Sequence, residues 1–310
     1  MNNYAPGLLS HDVIANDIHE IDDIVADTKK RLMNQSDLSP SHIDQCLKIV
    51  DDLRGFPMGR FLLANQGGFN GYWTAYMIGR SRIHGPYFNE LESFLINQAP
   101  TVLATRERFD IFQREIQARL YEGIRIASVP CGLMQDLLTL NLSGYYDVNL
   151  IGIDLDTDAL THAKQFAQQQ GISAQCQFIQ ADAWTLALDE PVDILTSNGL
   201  NIYEADDDKV TALYRSFLNT LKPGGTLITS FMTLTPAQTP VSRWQTDKID
   251  GNALARQKWV LLDTLAARWS GCNRSHETTL LQLHDAGFTD VQFIDGLTSI
   301  FPTIVARKPG

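Results

Sequence analysis

Ile124-Arg-Ile-Ala-Ser-Val-Pro-Cys-Gly132, Leu150-Ile-Gly-Ile-Asp154 and Gln177-Phe-Ile-Gln-Ala-Asp182 decide how this chain folds. Each is a run of apolar and β-branched residues of strand length. The first breaks at Pro130-Cys131-Gly132 and leads into a helical pattern from Leu133 to Leu142; the second and third stop on a carboxylate. Strands alternating with helical segments predict βαβ units and a parallel sheet. In an open parallel sheet ligands bind beyond the carboxyl ends of the strands, where the strand order reverses. Two acids at successive strand ends beside a glycine turn describe a nucleoside pocket, with one carboxylate for ribose hydroxyls and one polar edge for a base.

The pattern continues downstream. Val192 to Ser197 reads as a fourth strand ending in Asn198-Gly-Leu-Asn201, and Asp206 to Leu221 as a helix. Lys222-Pro-Gly-Gly225 then turns into a fifth strand, Thr226 to Phe231. A helix around Thr278 to Ala286 with a glycine stop at Gly287 precedes two β-rich runs, Phe288 to Ile294 and Ile300 to Arg307. Their connection is too short for a parallel crossover, so they pair antiparallel. The expected sheet is mostly parallel with one reversed strand at its edge.

Upstream, residues 1–122 read as helical. Val13, Ile14, Ile18, Ile21, Ile24 and Val25 recur at helical spacing within His11 to Asn34. Ser39-Pro40 opens a second helix to about Leu53, serine as cap and proline in the first turn. Thr101 to Glu122 is a third, closed by Gly123. The stretch Phe56 to Pro86, with Asn65-Gln-Gly-Gly-Phe-Asn-Gly-Tyr-Trp73, holds too much glycine for a regular element and too many aromatics for a solvated linker. It is expected to be a packed, irregular part of a helical cap.

The 310 residues carry 25 basic and 36 acidic side chains, a formal charge of −11, and no Lys/Arg-rich run. That balance argues against a nucleic-acid backbone as partner, because neutralising phosphates needs clustered cations. No apolar run approaches the ~20 residues of a membrane span, and the N-terminus lacks a signal-peptide pattern. Cys46, Cys131, Cys176 and Cys272 are far apart with no CxxC pair, which predicts reduced thiols, a cytoplasmic setting and no metal site.

Asp154-Leu-Asp-x-x-x-Leu-x-x-Ala163, Gln180-Ala-Asp182-Ala, Leu221-Lys-Pro-Gly-Gly-Thr-Leu227 and Ala286-Gly-Phe288, in this order and spacing, resemble the successive motifs of the class I S-adenosylmethionine-dependent methyltransferases. The resemblance covers about Ile124 to Lys308. It implies a Rossmann-like, seven-stranded α/β domain over residues 123–310, preceded by the helical cap of residues 1–122, with residues 233–260 as a further cap insertion. It also implies S-adenosylmethionine as cofactor. By resemblance Asp154 holds the ribose hydroxyls, Leu155 lies beside it, Asp182 and the Ala183 amide meet the adenine edge, and Asn198 faces the methyl donor. Gly132, with Ser128 and Pro130 around it, forms the loop against the cofactor's methionine part. This sequence departs from the family there: serine stands for the usual acid, and Pro130 and Met134 stand for the outer glycines of a three-glycine loop.

Several of these residues have an ordinary structural use as well. Asp154 can cap the next helix, although Asp156 is better placed to do so. Trp184 stacks on adenine or fills core, and Asn198 can close an Asx-turn. Methyl transfer obliges few residue types, so the acceptor is addressed by parts outside the common core. Tyr72, Trp73, Tyr76, Asn201 and Trp244 are candidates for its walls; His84 and Tyr203 are candidates for proton removal; Arg60, Arg80, Arg82 and Arg243 are candidates for pairing an acidic acceptor. Ser197-Asn-Gly-Leu-Asn-Ile-Tyr203 lacks the diproline loop of amino-group methyltransferases acting on nucleic-acid bases. The expected activity is methyl transfer to oxygen or carbon of a small molecule, without nucleic acid or membrane as partner. Three other readings remain: a non-catalytic S-adenosylmethionine-binding or partner-docking protein, an aminopropyl transferase lacking its acid pair, and a nicotinamide-dependent dehydrogenase lacking Gly-x-Gly-x-x-Gly.

Overall fold

A computed structural model of the chain describes residues 18–80, 85–267 and 272–310. The chain forms two compact units, residues 1–103 with 246–270, and residues 104–245 with 271–310. The division at 103/104 replaces the expected boundary at 122/123, and the segment returning to the first unit is 246–270 rather than 233–260. The reason is visible in the third helix, whose C-terminal half carries Phe112 and Ile116 into the core of the sheet domain.

In the first unit the helices are α1 (Ile18–Met33), α2 (Pro40–Arg54), α3 (Pro57–Ala64), α4 (Gly71–Arg80), α5 (Glu90–Asn97) and the start of α6 (Pro100–Gln117). Ser39 caps α2, accepting from the His42 amide, with Pro40 at the first position, as the sequence predicts. The glycine-rich stretch is more regular than expected, holding α3 and α4. Pro57 starts α3, and Gly59 lies so close to the end of α2 that a Cβ there would sit 2.1 Å from the Leu53 carbonyl oxygen. Glycine thus serves helix approach here rather than chain irregularity. The returning segment adds α10 (Gly251–Lys258), capped by Asp250 and continued as a π-helix over Trp259–Thr264. Val260, Leu261 and Leu265 share one core with Leu53, Phe56, Leu62, Phe94 and Leu95.

The second unit is built on β1 (Arg125–Ser128), β2 (Asn149–Asp154), β3 (Cys176–Gln180), β4 (Val192–Ser197), β5 (Leu221–Ser230), β6 (Thr289–Ile294) and β7 (Thr303–Arg307). Their order is β3-β2-β1-β4-β5-β7-β6. β1 to β5 are parallel; β7 is antiparallel to both β5 and β6, so the reversed strand lies one in from the edge. Lys222–Gly225 bulges out between the pairs Val192–Leu221 and Ile194–Thr226.

Strand side chains alternate between two cores, as a sheet covered on both faces requires. Ile126, Leu150, Ile194 and Ile228 meet α6, the short α7 (Gln135–Leu138) and α8 (Thr157–Gln169) on one face. Ala127, Ile151, Leu195 and Leu227 meet α9 (Asp207–Thr220) and α11 (His276–Ala286) on the other. Asp206 caps α9, Ser275 caps α11, and Gly287 ends α11 in the left-handed conformation with φ 107°. The order reverses at β1, between β2 and β4, which places the ligand edge at the ends of those strands.

Candidate functional site

Asp154 ends β2 and is buried. Its Oδ2 accepts from the Gly132 amide at 2.9 Å, and its Oδ1 accepts from the Asp156 amide at 3.1 Å. Gly132, with φ 50°, brings the β1 loop across the end of β2 in a conformation that glycine adopts without a steric penalty. A carboxylate held from both sides by backbone is pre-positioned, and its oxygens have lone pairs enough to accept from a diol as well. Leu155, next in sequence, is 61% exposed, an apolar surface beside that acid. Asp156 caps α8, accepting from the Asp158 amide, so the cap of that helix is Asp156 and not Asp154, as the sequence suggests.

Asp182 follows β3, is exposed, and accepts from the Trp184 amide at 3.0 Å at the head of a short 3-10 turn, Ala183–Thr185. Trp184, half-buried, packs against the core on the α9 face of the sheet, and its indole N–H donates to the Lys209 carbonyl at 3.0 Å. Asn198 follows β4 directly and is half-buried. Gly132, Asp154, Asp182 and Asn198 therefore stand at the carboxyl ends of four neighbouring strands.

The unusual β1 loop is compensated in space. Ser128 is buried, and its hydroxyl donates to Asp136 Oδ2 at 2.9 Å; Thr196 at the end of β4 donates to the same oxygen at 2.7 Å. A carboxylate from α7 thus lies against the ends of β1 and β4. Burial raises the Asp136 pKa above the ordinary aspartate value, and the Thr196 and Ser128 hydrogen bonds oppose that rise. Met134 keeps a left-handed backbone, φ 56°, where the family has glycine, and its side chain is buried beneath β2. Gly152 makes the room: a Cβ there would lie 2.9 Å from Met134 Sδ. Val129–Pro130 is cis. Cys131 is buried, and burial together with Asp154 and Asp136 pushes its thiol pKa well up, so it stays protonated.

The β4 loop turns one expected site residue to another use. Asn201 is buried, its amide donating to Tyr214 Oη at 2.9 Å, so it braces the loop. Arg274, which sequence patterns do not single out, donates to the carbonyls of Asn201, Glu204 and Cys272 and to Asp207 at 2.7 Å. Trp244 is half-buried and donates to Thr233 Oγ1, which itself donates to Ser299 O. Tyr203 is half-buried at the end of the same loop's 3-10 turn.

In the first unit, Trp73 packs edge-on to Tyr72 and Tyr76 at 5.0 and 5.3 Å and rests on the helical core. Tyr76 donates to Glu92 at 2.6 Å; burial first, then Glu92, pushes its pKa up to about 12. Tyr72 is exposed. The guanidinium of Arg60 donates to Arg54 O, and that of Arg80 to Pro86 O. Arg243 is exposed. His84 and Arg82 lie outside the described residues.

A bound adenosyl group needs a ribose-accepting carboxylate, a polar edge and a close backbone approach; Asp154, the Asp182 turn and Gly132 fit those needs. Residues 126–225 match the model of a family described as methyltransferase domain. The chain belongs to the class I S-adenosylmethionine-dependent methyltransferase family. Its cofactor is S-adenosylmethionine. At 39% identity, over 94% of this chain and 96% of the other, the methyltransferase is similar to a Bordetella parapertussis protein described as a possible exported protein, TM-score 0.87. It shares its fold with the S-adenosylmethionine-dependent methyltransferase SibL, at 15% identity, over 94% and 96% of the two chains, TM-score 0.52. The mitomycin 7-O-methyltransferase MmcR has 14% identity over 81% of this chain and 70% of its own, TM-score 0.50. No curated protein matches the chain. Among the described residues no helix is long and apolar enough to cross a membrane.

Proposed function

We propose that this methyltransferase is an active enzyme that methylates oxygen or carbon of a small-molecule acceptor. The observation that carries the reading is the intact ligand edge. Asp154 is braced by Gly132 and Asp156 although the preceding loop has lost two of its glycines. The cofactor supplies a sulfonium methyl that leaves a neutral thioether behind. The chain's share is to hold nucleophile and methyl in line and to exclude water. Asp154 fixes the adenosyl end, and the Asn198 loop, pinned by Arg274, fixes the end of β4 where the methyl is transferred.

A small acceptor is supported by the charge of −11 and the lack of a basic run, both unsuited to a polyphosphate. It is supported also by the β4 loop, which has no diproline motif. The test is calorimetric titration with S-adenosylmethionine and S-adenosylhomocysteine, then detection of S-adenosylhomocysteine released with a panel of phenols, carboxylic acids and enolisable ketones. Binding with turnover on a panel member is expected. Binding without turnover on any small molecule, but with turnover on RNA or protein, would overturn the acceptor assignment. Binding with no turnover at all would favour a non-catalytic role.

A further inference from the structure

Arg108 lies on α6 one turn before Phe112 and two before Ile116, on the stripe that faces the sheet core. That stripe calls for apolar residues. Arg108 is nonetheless only 7% exposed. Its Nη1 donates to Ser230 Oγ at 3.2 Å, and its guanidinium stands 4.9 Å from the centre of the Phe301 ring. Nε is buried with no partner, and no carboxylate among the described residues pairs with the group. Burial lowers its pKa to about 10, which leaves it charged at neutral pH. A buried cation without a counter-charge is costly to keep.

Its position gives that cost a purpose. Ser230 is the last residue of β5, and Gly199 follows β4, so Arg108 stands at the carboxyl edge of the sheet beyond the β1–β4 switch point. Gly199, at φ 83°, lets the β4 loop run close against the guanidinium: a Cβ there would meet Ile202 Cδ1 at 2.7 Å and Arg108 Nη1 at 3.1 Å. With Nη1 spent on Ser230, Nε and, on the same side of the plane, Nη2 are the donors left over. Two parallel N–H groups in one plane match a carboxylate. Arg60 and Arg80, by contrast, are engaged by backbone carbonyls.

We propose that Arg108 is the specificity-determining anchor for a carboxylate on the acceptor molecule, a reading that deepens the small-molecule assignment above and rests on it. The probes are benzoate, 4-hydroxybenzoate and succinate, each against its neutral amide, together with inorganic phosphate. They are titrated calorimetrically into the full chain with and without S-adenosylhomocysteine. Wild type is expected to bind at least one carboxylate tenfold or more tightly than its amide. Arg108→Gln should erase that preference while S-adenosylhomocysteine binds unchanged, and Arg108→Lys should restore only part of it.

Because the charge is uncompensated, Arg108→Met is expected to melt at or above the wild-type temperature. A fall of several degrees would mark a structural arginine and overturn the proposal. So would equal binding of acids and amides, phosphate bound in place of carboxylate, or a preference surviving in a folded Arg108→Gln protein. Failure of S-adenosylhomocysteine to bind wild type, with the Arg108-dependent carboxylate preference intact, would instead sink the methyltransferase reading and leave an anion site.

Discussion

The Ser128 hydroxyl and the Asp136 carboxylate are joined at 2.9 Å across the β1 loop, eight residues apart in sequence. A serine at the end of β1 looks like the loss of an acid. In space a carboxylate from the first turn of α7 is gripped by hydroxyls from β1 and β4. Arg274 plays a comparable part for the β4 loop, reaching two of its carbonyls, those of Asn201 and Glu204, from a position far along the chain.

The raised pKa of Asp136 makes stability depend on pH with a definite sign. A carboxyl whose folded pKa exceeds its unfolded value binds its proton more tightly when folded, so it supports the fold below the unfolded pKa. That support is lost as pH rises through the folded pKa. The melting temperature of wild type minus that of Asp136→Asn should therefore fall between pH 4 and pH 8. A difference that stays constant over that range would show that Asp136 does not titrate in this way.

Asp154→Asn removes the charge while keeping the shape. Hydrogen bonds to charged groups contribute about 1.5–3 kcal/mol, so affinity for S-adenosylhomocysteine should drop by roughly tenfold or more. The exposed Asp182, changed to asparagine, should cost less. Calorimetry on both folded variants checks the order, and an unchanged affinity in Asp154→Asn would remove the ribose assignment.

Gly152 and Met134 form a packing pair. Gly152→Ala would set a methyl against Met134 Sδ, with Cys131 Sγ and Phe178 each at 3.2 Å. Overpacking of this kind costs about 1–3 kcal/mol. Denaturant unfolding of Gly152→Ala, Met134→Ala and the double variant should show the double to be more stable than the sum of the singles predicts. Strict additivity would mean that the two residues do not share this space.

Arg274→Ala should leave three carbonyls and Asp207 without their partner. Asp207 is exposed, so the loss comes from the carbonyls left unsatisfied, about 1–3 kcal/mol for each that stays buried. Because the Asn201 and Glu204 carbonyls lie on the loop after β4, turnover should fall more than S-adenosylhomocysteine affinity. Equal losses in both would place its effect on the whole domain rather than on the loop.

Much of the sheet domain was legible because its signals are local. Apolar runs of strand length, the acids that end β2 and β3, caps such as Ser39 and Asp156, and the glycine stop at Gly287 each act within a few residues. The α3 and α4 helices were not legible, because the purpose of Gly59 is its approach to Leu53 and no local pattern encodes that. Residue type alone makes Asn201 a site candidate and leaves Trp184 open between adenine stack and core; only their partners, Tyr214 and the Lys209 carbonyl, show how each is held.

By itself, the sequence determined the fold class, the strand ends and the acids that follow them, since strand period, turn chemistry and helix caps are short-range properties. Tertiary structure alone decided that Asp136 lies against Ser128, that Gly152 accommodates Met134, and that Arg108 sits buried and unpaired at the edge of the sheet. Burial and partnership are set by chain segments distant in sequence, and a side chain's chemistry is fixed only when those segments meet.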